Sequence, residues 1–154
     1  MSTHDFAFQT GQWRVRHRKL ARRLAGSEDW RAFEGACMGW EVMGGAGNVD
    51  DHLLQDPVGP YRAATLRRYD PGTDRWSIWW WDSRLPEVGP PVHGRFEAGV
   101  GTFFGADELE GLPIRVRFIW SGITPRACRW AQAFSADDGS NWETNWTMEF
   151  ERLS

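Results

Sequence analysis

Three polar residues of this chain share a strand face with tryptophan, and each could do chemistry there. His17 follows Trp13 and Val15 at a period of two, so a neutral imidazole beside an indole could serve as general base or ligand anchor. Asp82 follows Trp80 in the same way; desolvation raises a carboxylate in an aromatic pocket toward the range useful for proton transfer. Gln132, between Trp130 and Phe134 on its face, could orient a ligand carbonyl or hydroxyl. Each has a blander and commoner role: a structural imidazole, a strand-end aspartate paired with Arg84 or Arg67, an amide satisfied inside a packed core. His17 and Asp82 make a dyad only if the fold brings them together. Glu143 and Asn145 fall on the opposite face from Trp142 and Trp146, and a bulge would turn them inward.

Other chemistries find less support. Asn48, Asp50, Asp51 and His52 form a polar cluster after a glycine run, but Asp50 and His52 offer two metal ligands without a third, so the cluster reads as a solvated rim. Gly44–Gly47 lacks the Gly-Lys-Ser/Thr of a phosphate loop. Cys37 and Cys128 match no metal spacing and read as small core residues of a reducing cytoplasm; no metal site is expected. Six of the 18 Lys and Arg residues lie between Arg14 and Arg23, where a nucleic-acid backbone could run beside Trp13 and Trp30. The net charge of −3 and pI of about 5.8 argue against that partner, and Arg14, Arg16 and Arg18 are what an outward strand face looks like. The first residues do not read as a signal peptide, and no apolar run reaches the roughly 18 residues of a membrane helix. Neither nucleic acid nor membrane is an expected partner.

The elements that position these residues are strands. Eleven tryptophans among 154 residues, mostly alternating with polar neighbours, and Gly or Pro at short intervals give an all-β pattern. Strands are expected near 7–18, 31–42, 47–55, 61–69, 74–83, 91–97, 100–106, 113–121, 127–135 and 142–152. Asp70-Pro71-Gly72-Thr73-Asp74 and Ala136-Asp137-Asp138-Gly139-Ser140 are strong tight turns; Glu97-Ala98-Gly99 is a weaker one. One short helix is expected over Lys19–Leu24, with Leu20 and Leu24 at i, i+4 and Gly26 ending it. The size suits one domain over residues 1–154. About ten antiparallel strands in sequence order close most simply into an up-and-down barrel, which with roughly eight or more strands has room for a small ligand.

On the inner list are Trp76, Ile78, Trp80 and Asp82; Ile114, Val116, Phe118 and Trp120; Cys128, Trp130, Gln132 and Phe134; and Trp142, Thr144, Trp146, Met148 and Phe150. Trp79 and Trp81 then point outward. They are expected to be covered by the 19–30 segment or, preferably, by a second copy in a homodimer.

Gln12 stands between Gly11 and Trp13, the Gly-x-Trp with which many calycin barrels open. Gly45-Ala46-Gly47-Asn48-Val49-Asp50, Trp80-Trp81-Asp82-Ser83-Arg84, Gly94-Arg95-Phe96 and Trp142-Glu143-Thr144-Asn145-Trp146 extend the match along the chain. The whole sequence resembles a family of small lipocalin-like proteins common in actinobacteria. The resemblance implies a calycin-type barrel and no particular activity. Arg68, His93 and Ala131 depart from it, where apolar, apolar and acidic residues are expected. Haem, held by some barrels of this group through a histidine, is not expected here, since His4, His17, His52 and His93 all lie outside the last third of the chain.

The favoured expectation is a cytoplasmic barrel binding a small, flat, largely apolar or aromatic metabolite. Trp13, Trp80, Trp130 and Trp146 supply walls, and His17, Asp82 and Gln132 supply polar contacts. The alternative is a cofactor-independent cyclase, isomerase or dehydratase in which His17 or Asp82 moves the proton.

Overall fold

The computed structural model describes residues 3–154. Ten strands run in chain order: β1 (Gly11–Leu20), β2 (Trp30–Val42), β3 (Gly47–Leu54), β4 (Tyr61–Asp70), β5 (Arg75–Asp82), β6 (Val92–Glu97), β7 (Val100–Leu109), β8 (Leu112–Ser121), β9 (Ala127–Ser135) and β10 (Glu143–Arg152). Each pairs antiparallel with the next, and β10 returns to β1, so the sheet is a closed barrel with no free edge. The expected all-β, ten-stranded, lipocalin-like architecture is the one observed.

The turns work as their residues dictate. Asp70 Oδ1 accepts from the Gly72 amide at 2.8 Å and its Oδ2 from the Thr73 hydroxyl at 3.1 Å, closing β4 onto β5. Ala98 and Gly99, at φ 50° and 78°, form a two-residue hairpin with both central residues in the left-handed region.

Three local expectations are corrected. No helix forms over Lys19–Leu24: β1 continues through Leu20, which pairs with Trp30, and the Ala21 amide extends the ladder to the Asp29 carbonyl at 2.8 Å. Leu24 sits at φ 56° and donates its amide to Glu143 Oε1 at 2.6 Å, which no helical turn allows. One turn of apolar spacing is too short a nucleus to compete with a strand ladder. The first strand starts at Gly11 rather than at residue 7, because Ala7–Gln9 is a 3-10 turn that folds into the barrel end. In β10 a bulge between Thr144 and Trp146 buries Asn145 and leaves Thr144 exposed. Trp142, Thr144 and Trp146 therefore do not share one face.

That 3-10 turn closes one end of the barrel. Phe6 is fully buried, with its ring 5.0 Å from those of Trp76 and Phe96 and 5.8 Å from Phe103. Gln9 lies over Gly39, where a Cβ would overlap both its side chain and its carbonyl. Gln9 Nε2 reaches Asp50 Oδ2 at 3.1 Å, and the same carboxylate accepts from Arg67 at 2.7 Å and from the Thr65 amide at 3.1 Å. Arg67 also donates to Asn48 Oδ1 at 2.6 Å. The polar cluster expected on a solvated rim is thus a buried network: Asn48, Asp50 and His52 alternate on the inward face of β3, at 1%, 1% and 2% exposure.

Removing one member of the Asp50–Arg67 pair leaves the other as an uncompensated buried charge. Asp50→Asn or Arg67→Met is expected to cost about 3–5 kcal/mol in urea unfolding, with the double variant recovering part of the loss. Single and double variants of equal stability, or singles within experimental error of the parent, would remove this pair from its structural role.

Candidate functional site

The barrel interior falls into layers set by side-chain size. Above the plug, a void of about 20 Å³ is lined by His52, Arg67, Trp80, Trp120 and Trp130 among others, room for roughly one water molecule. An indole layer follows. Trp146 meets Trp80 edge-on at 5.4 Å and Trp130 edge-on at 5.2 Å, and Trp130 meets Phe118 at 5.0 Å. Beyond it opens a cavity of about 260 Å³ with Trp80, Phe118, Trp146, Val116, Phe134 and Gln132 in its wall. The two longest connections, residues 21–29 and 83–91, surround its mouth, while the plugged end has shorter ones.

Trp80, Trp146 and Gln132 therefore line one cavity with Asp82 at its rim, as their shared inward faces lead one to expect. Trp130 lies one layer deeper and supports Trp146 from below. Trp13 stands elsewhere: its indole donates to the Gln9 carbonyl at 2.9 Å and packs edge-on against Phe150 at 5.9 Å, so it belongs to the plug.

His17 is inward and 1% exposed, but it stands behind Trp146 rather than in the cavity wall. Its Nδ1 accepts from Trp146 Nε1 at 3.1 Å, which places the ring proton on Nε2, and the ring stacks on Phe33 at 4.6 Å. Burial, reinforced by the nearby His52 and Lys19 charges, pushes its pKa down to about 3. The imidazole is thus neutral and already committed to orienting an indole.

Asp82 does not behave as the desolvated carboxylate expected from the sequence. Burial pushes its pKa up, but hydrogen bonds from Arg84 and that residue's charge outweigh it and hold the group below its ordinary value. Arg84 grips both carboxylate oxygens, at 3.0 and 2.8 Å, and the Arg84 amide adds a third bond at 2.9 Å. The structure gives no contact between His17 and Asp82.

The bulge in β10 brings in what the plain period leaves out. Asn145 is fully buried and accepts from Gln132 Nε2 at 2.8 Å, fixing the one amide of the cavity wall. Glu143 is held by the Leu24 amide. Sequence reasoning also missed the cations at the mouth. Lys19 donates to Tyr61 Oη at 3.1 Å and places Nζ 4.3 Å from the centre of the Trp146 ring. Its pKa is pushed down to about 8 by burial and the neighbouring Arg23 charge. It is the chain's single lysine and continues the Trp13, Val15, His17 face by one period, a signal the expected helix concealed.

Cys37, Asp50 and His52 place ligand atoms within 4.8 Å of one another, which is metal-like spacing. Their chemistry points the other way. The Arg67 guanidinium sits 2.7 Å from Asp50, and a cation bound there would face it across low-dielectric protein. His52 Nε2 lies 3.2 Å from Asp50 Oδ1 and 3.6 Å from Cys37 Sγ. Burial opposes charging the imidazole, but the Cys37 and Asp50 interactions outweigh it and raise its pKa. His93, the histidine that replaces an expected apolar residue, faces outward and meets Ser77 Oγ at 2.7 Å. Arg68 and Ala131 also alternate with inward residues, so none of the three departures alters the cavity.

No family model matches the chain, and no curated protein matches it in sequence. Among solved structures it is similar to an S-type phycobiliprotein lyase from Guillardia theta, at 12% identity and a TM-score of 0.60, over 97% of this chain and 90% of that one. The likeness is one of fold, and it carries the lipocalin-like barrel. Among the described residues no helix is long and apolar enough to cross a membrane.

The two buried histidines set opposite pH limbs. His17, lowered from 6.5 to about 3, contributes stability that is present above pH 6.5 and lost as pH falls through the acidic range. His52, raised from the same value, contributes stability that is present below pH 6.5 and lost as pH rises. Lys19, lowered from 10.5 to about 8, favours the fold again only above pH 8. Thermal unfolding is expected to give a maximum near pH 6.5, with His17→Phe flattening the limb between about pH 4 and 6.5. A profile flat from pH 4 to 8 would contradict both assignments.

Proposed function

We propose that this protein binds a small, flat, largely apolar or aromatic molecule in the cavity between Trp80, Phe118, Phe134 and Trp146. The observation that carries the proposal is the uneven filling of the barrel. One end is plugged by aromatic rings and an ion-pair network, yet about 260 Å³ stays open at the other, walled by indoles locked edge to edge. A core built only for stability would close this space, since cavities cost stability in proportion to their size. Gln132, fixed by Asn145, supplies one polar contact in an otherwise apolar wall. That a barrel of this design serves as a phycobiliprotein lyase is in keeping with an interior that is used rather than merely filled. Membership in the small lipocalin-like family that the sequence resembles is part of the proposal. So is a reducing, cytoplasmic setting, with which two buried free thiols agree.

The enzymatic alternative has less in its favour. Its proton-transfer groups are occupied, His17 by Trp146 and Asp82 by Arg84, and binding requires neither to be free.

A homodimer completes the proposal. Met38, Trp40, Leu66 and Trp81 are 46%, 44%, 43% and 57% exposed and form one outer face across β2 to β5, beside a groove of about 500 Å³. The 19–30 segment lies at the mouth and leaves this face uncovered. Apolar area of this kind on a soluble chain calls for a partner, and a second copy presents the same face.

Phenylnaphthylamine, a neutral probe whose fluorescence rises in apolar sites, is expected to bind saturably at one per chain. Ala106→Trp, at the exposed lip of the cavity, should weaken it by about tenfold or more while leaving the melting temperature within a few degrees. Absence of saturable binding, or indifference to the lip tryptophan, would sink the cavity reading. In analytical ultracentrifugation the parent is expected as a dimer and Trp81→Glu as a monomer; a parent that is monomeric at 100 μM (about −5.5 kcal/mol of association at most) rules the dimer out.

A further inference from the structure

The apolar cavity opens through a lip of three cations and three carboxylates that are not all paired with one another. Lys19, Arg23 and Arg84 all border the cavity, and the same three border the wider vestibule outside it. Two have partners. Arg84 holds Asp82 and stacks on Tyr61 at 3.6 Å. Lys19 meets Tyr61 Oη and, at 3.7 Å, Asp56. Arg23 has no hydrogen bond or ion pair among the described residues; its guanidinium lies 5.3 Å from the centre of the Phe134 ring.

None of the nearby carboxylates pairs with Arg23. Asp82 is held by Arg84, Asp56 accepts from the Val58 amide at 3.0 Å, and Glu143 accepts from Leu24. Glu87, Asp107 and Glu110 border the mouth region too, but they are exposed to solvent. The geometry of the backbone keeps Arg23 where it is: Leu24, the next residue, is pinned at φ 56° by Glu143, so the bend cannot swing freely away from the mouth. Burial lowers the pKa of both Arg23 and Lys19, as expected for cations drawn partly out of water.

A partly desolvated guanidinium without an acceptor is costly, and an incoming oxyanion removes the cost while gaining charge-assisted hydrogen bonds. We infer that the ligand is amphipathic, carrying an anionic oxygen group, a carboxylate or phosphate, that docks on Arg23 and Lys19 at the mouth while its flat apolar body lies against Trp80 and Trp146. This rests on the cavity reading and adds the charge and the orientation of the occupant, head outward. Arg84, neutralised by Asp82, frames the site; the uncompensated attraction is that of Arg23, and Lys19, shared with Tyr61 and Asp56, adds to it.

A matched series separates this inference from the reading beneath it. Naphthol, naphthoate and naphthyl phosphate share one flat ring system, and at pH 7 only the first is neutral. In isothermal titration of the full chain, at least one of the anions is expected to bind about tenfold or more tighter than naphthol. The preferred anion identifies the head group. Arg23→Gln, a change in a bend outside every strand, should erase most of that preference, bringing the affinity of the preferred anion toward that of naphthol. Naphthol binding as tightly as both anions overturns the inference and keeps the cavity. A preference that survives Arg23→Gln overturns the assignment of the anion to this lip. If none of the three binds, cavity reading and inference fall together.

Discussion

The buried contact between Asp50 and Arg67 is the constraint around which the rest of this barrel is arranged. It joins β3 to β4 deep in the interior and collects Gln9 from the N-terminal segment and His52 from the same strand. An ion pair at 0% and 2% side-chain exposure has a large desolvation cost, which only a full set of partners offsets. The carboxylate has that set: a guanidinium, an amide side chain, an imidazole and a backbone amide. Arg67 adds aromatic faces, with Phe6 at 4.9 Å and Trp120 at 5.3 Å. The consequence for function is topological. With one end sealed by charges that cannot be exposed cheaply, anything that enters the barrel enters at the other.

The upper half is organised by a different economy. Indoles packed edge to edge are rigid and cannot collapse into neighbouring space as flexible aliphatic chains can. Trp146 is central. Its ring contacts two other indoles, its nitrogen is held by His17, and a lysine ammonium rests above its face. His17 thereby shapes the cavity without lining it. A neutral imidazole that accepts from an indole fixes one tryptophan rotamer, and that rotamer fixes the cavity wall.

Much of this was legible from the chain alone. Alternation located all ten strands because each buries one face against the same aromatic interior; glycine-containing turns marked the hairpins at Asp70–Asp74 and Glu97–Gly99 but not the equally tight one at Glu110–Gly111. Trp80, Gln132 and Trp146 were found by the same period. Asp50 and His52 were misread because local polarity after a glycine run looks like a rim. Their even spacing with Asn48 and Leu54 was visible, but their partners Arg67 and Gln9 come from remote segments that no local pattern connects. The bulge at Asn145 was foreseen only as a condition, since a single extra residue changes the face without changing the composition. Lys19 was hidden for the opposite reason: leucines at helical spacing suggested a turn of helix in a stretch where the strand ladder was the stronger competitor.

Placing recognition at the mouth also reconciles two demands on such a barrel. A deep polar group would have to be desolvated in the free protein and matched in the complex, and even the Gln132–Asn145 contact leaves Asn145 Nδ2 buried without a partner. Lip residues face a smaller penalty, because water still reaches them. The bend at residues 22–25 stands outside the strand ladder, so its side chains can change without altering the register of β1 or β2. Shape is therefore set by the indoles of the core and charge by the residues of the open end, of which Arg23 and Arg84 lie in loops and Lys19 at the end of β1.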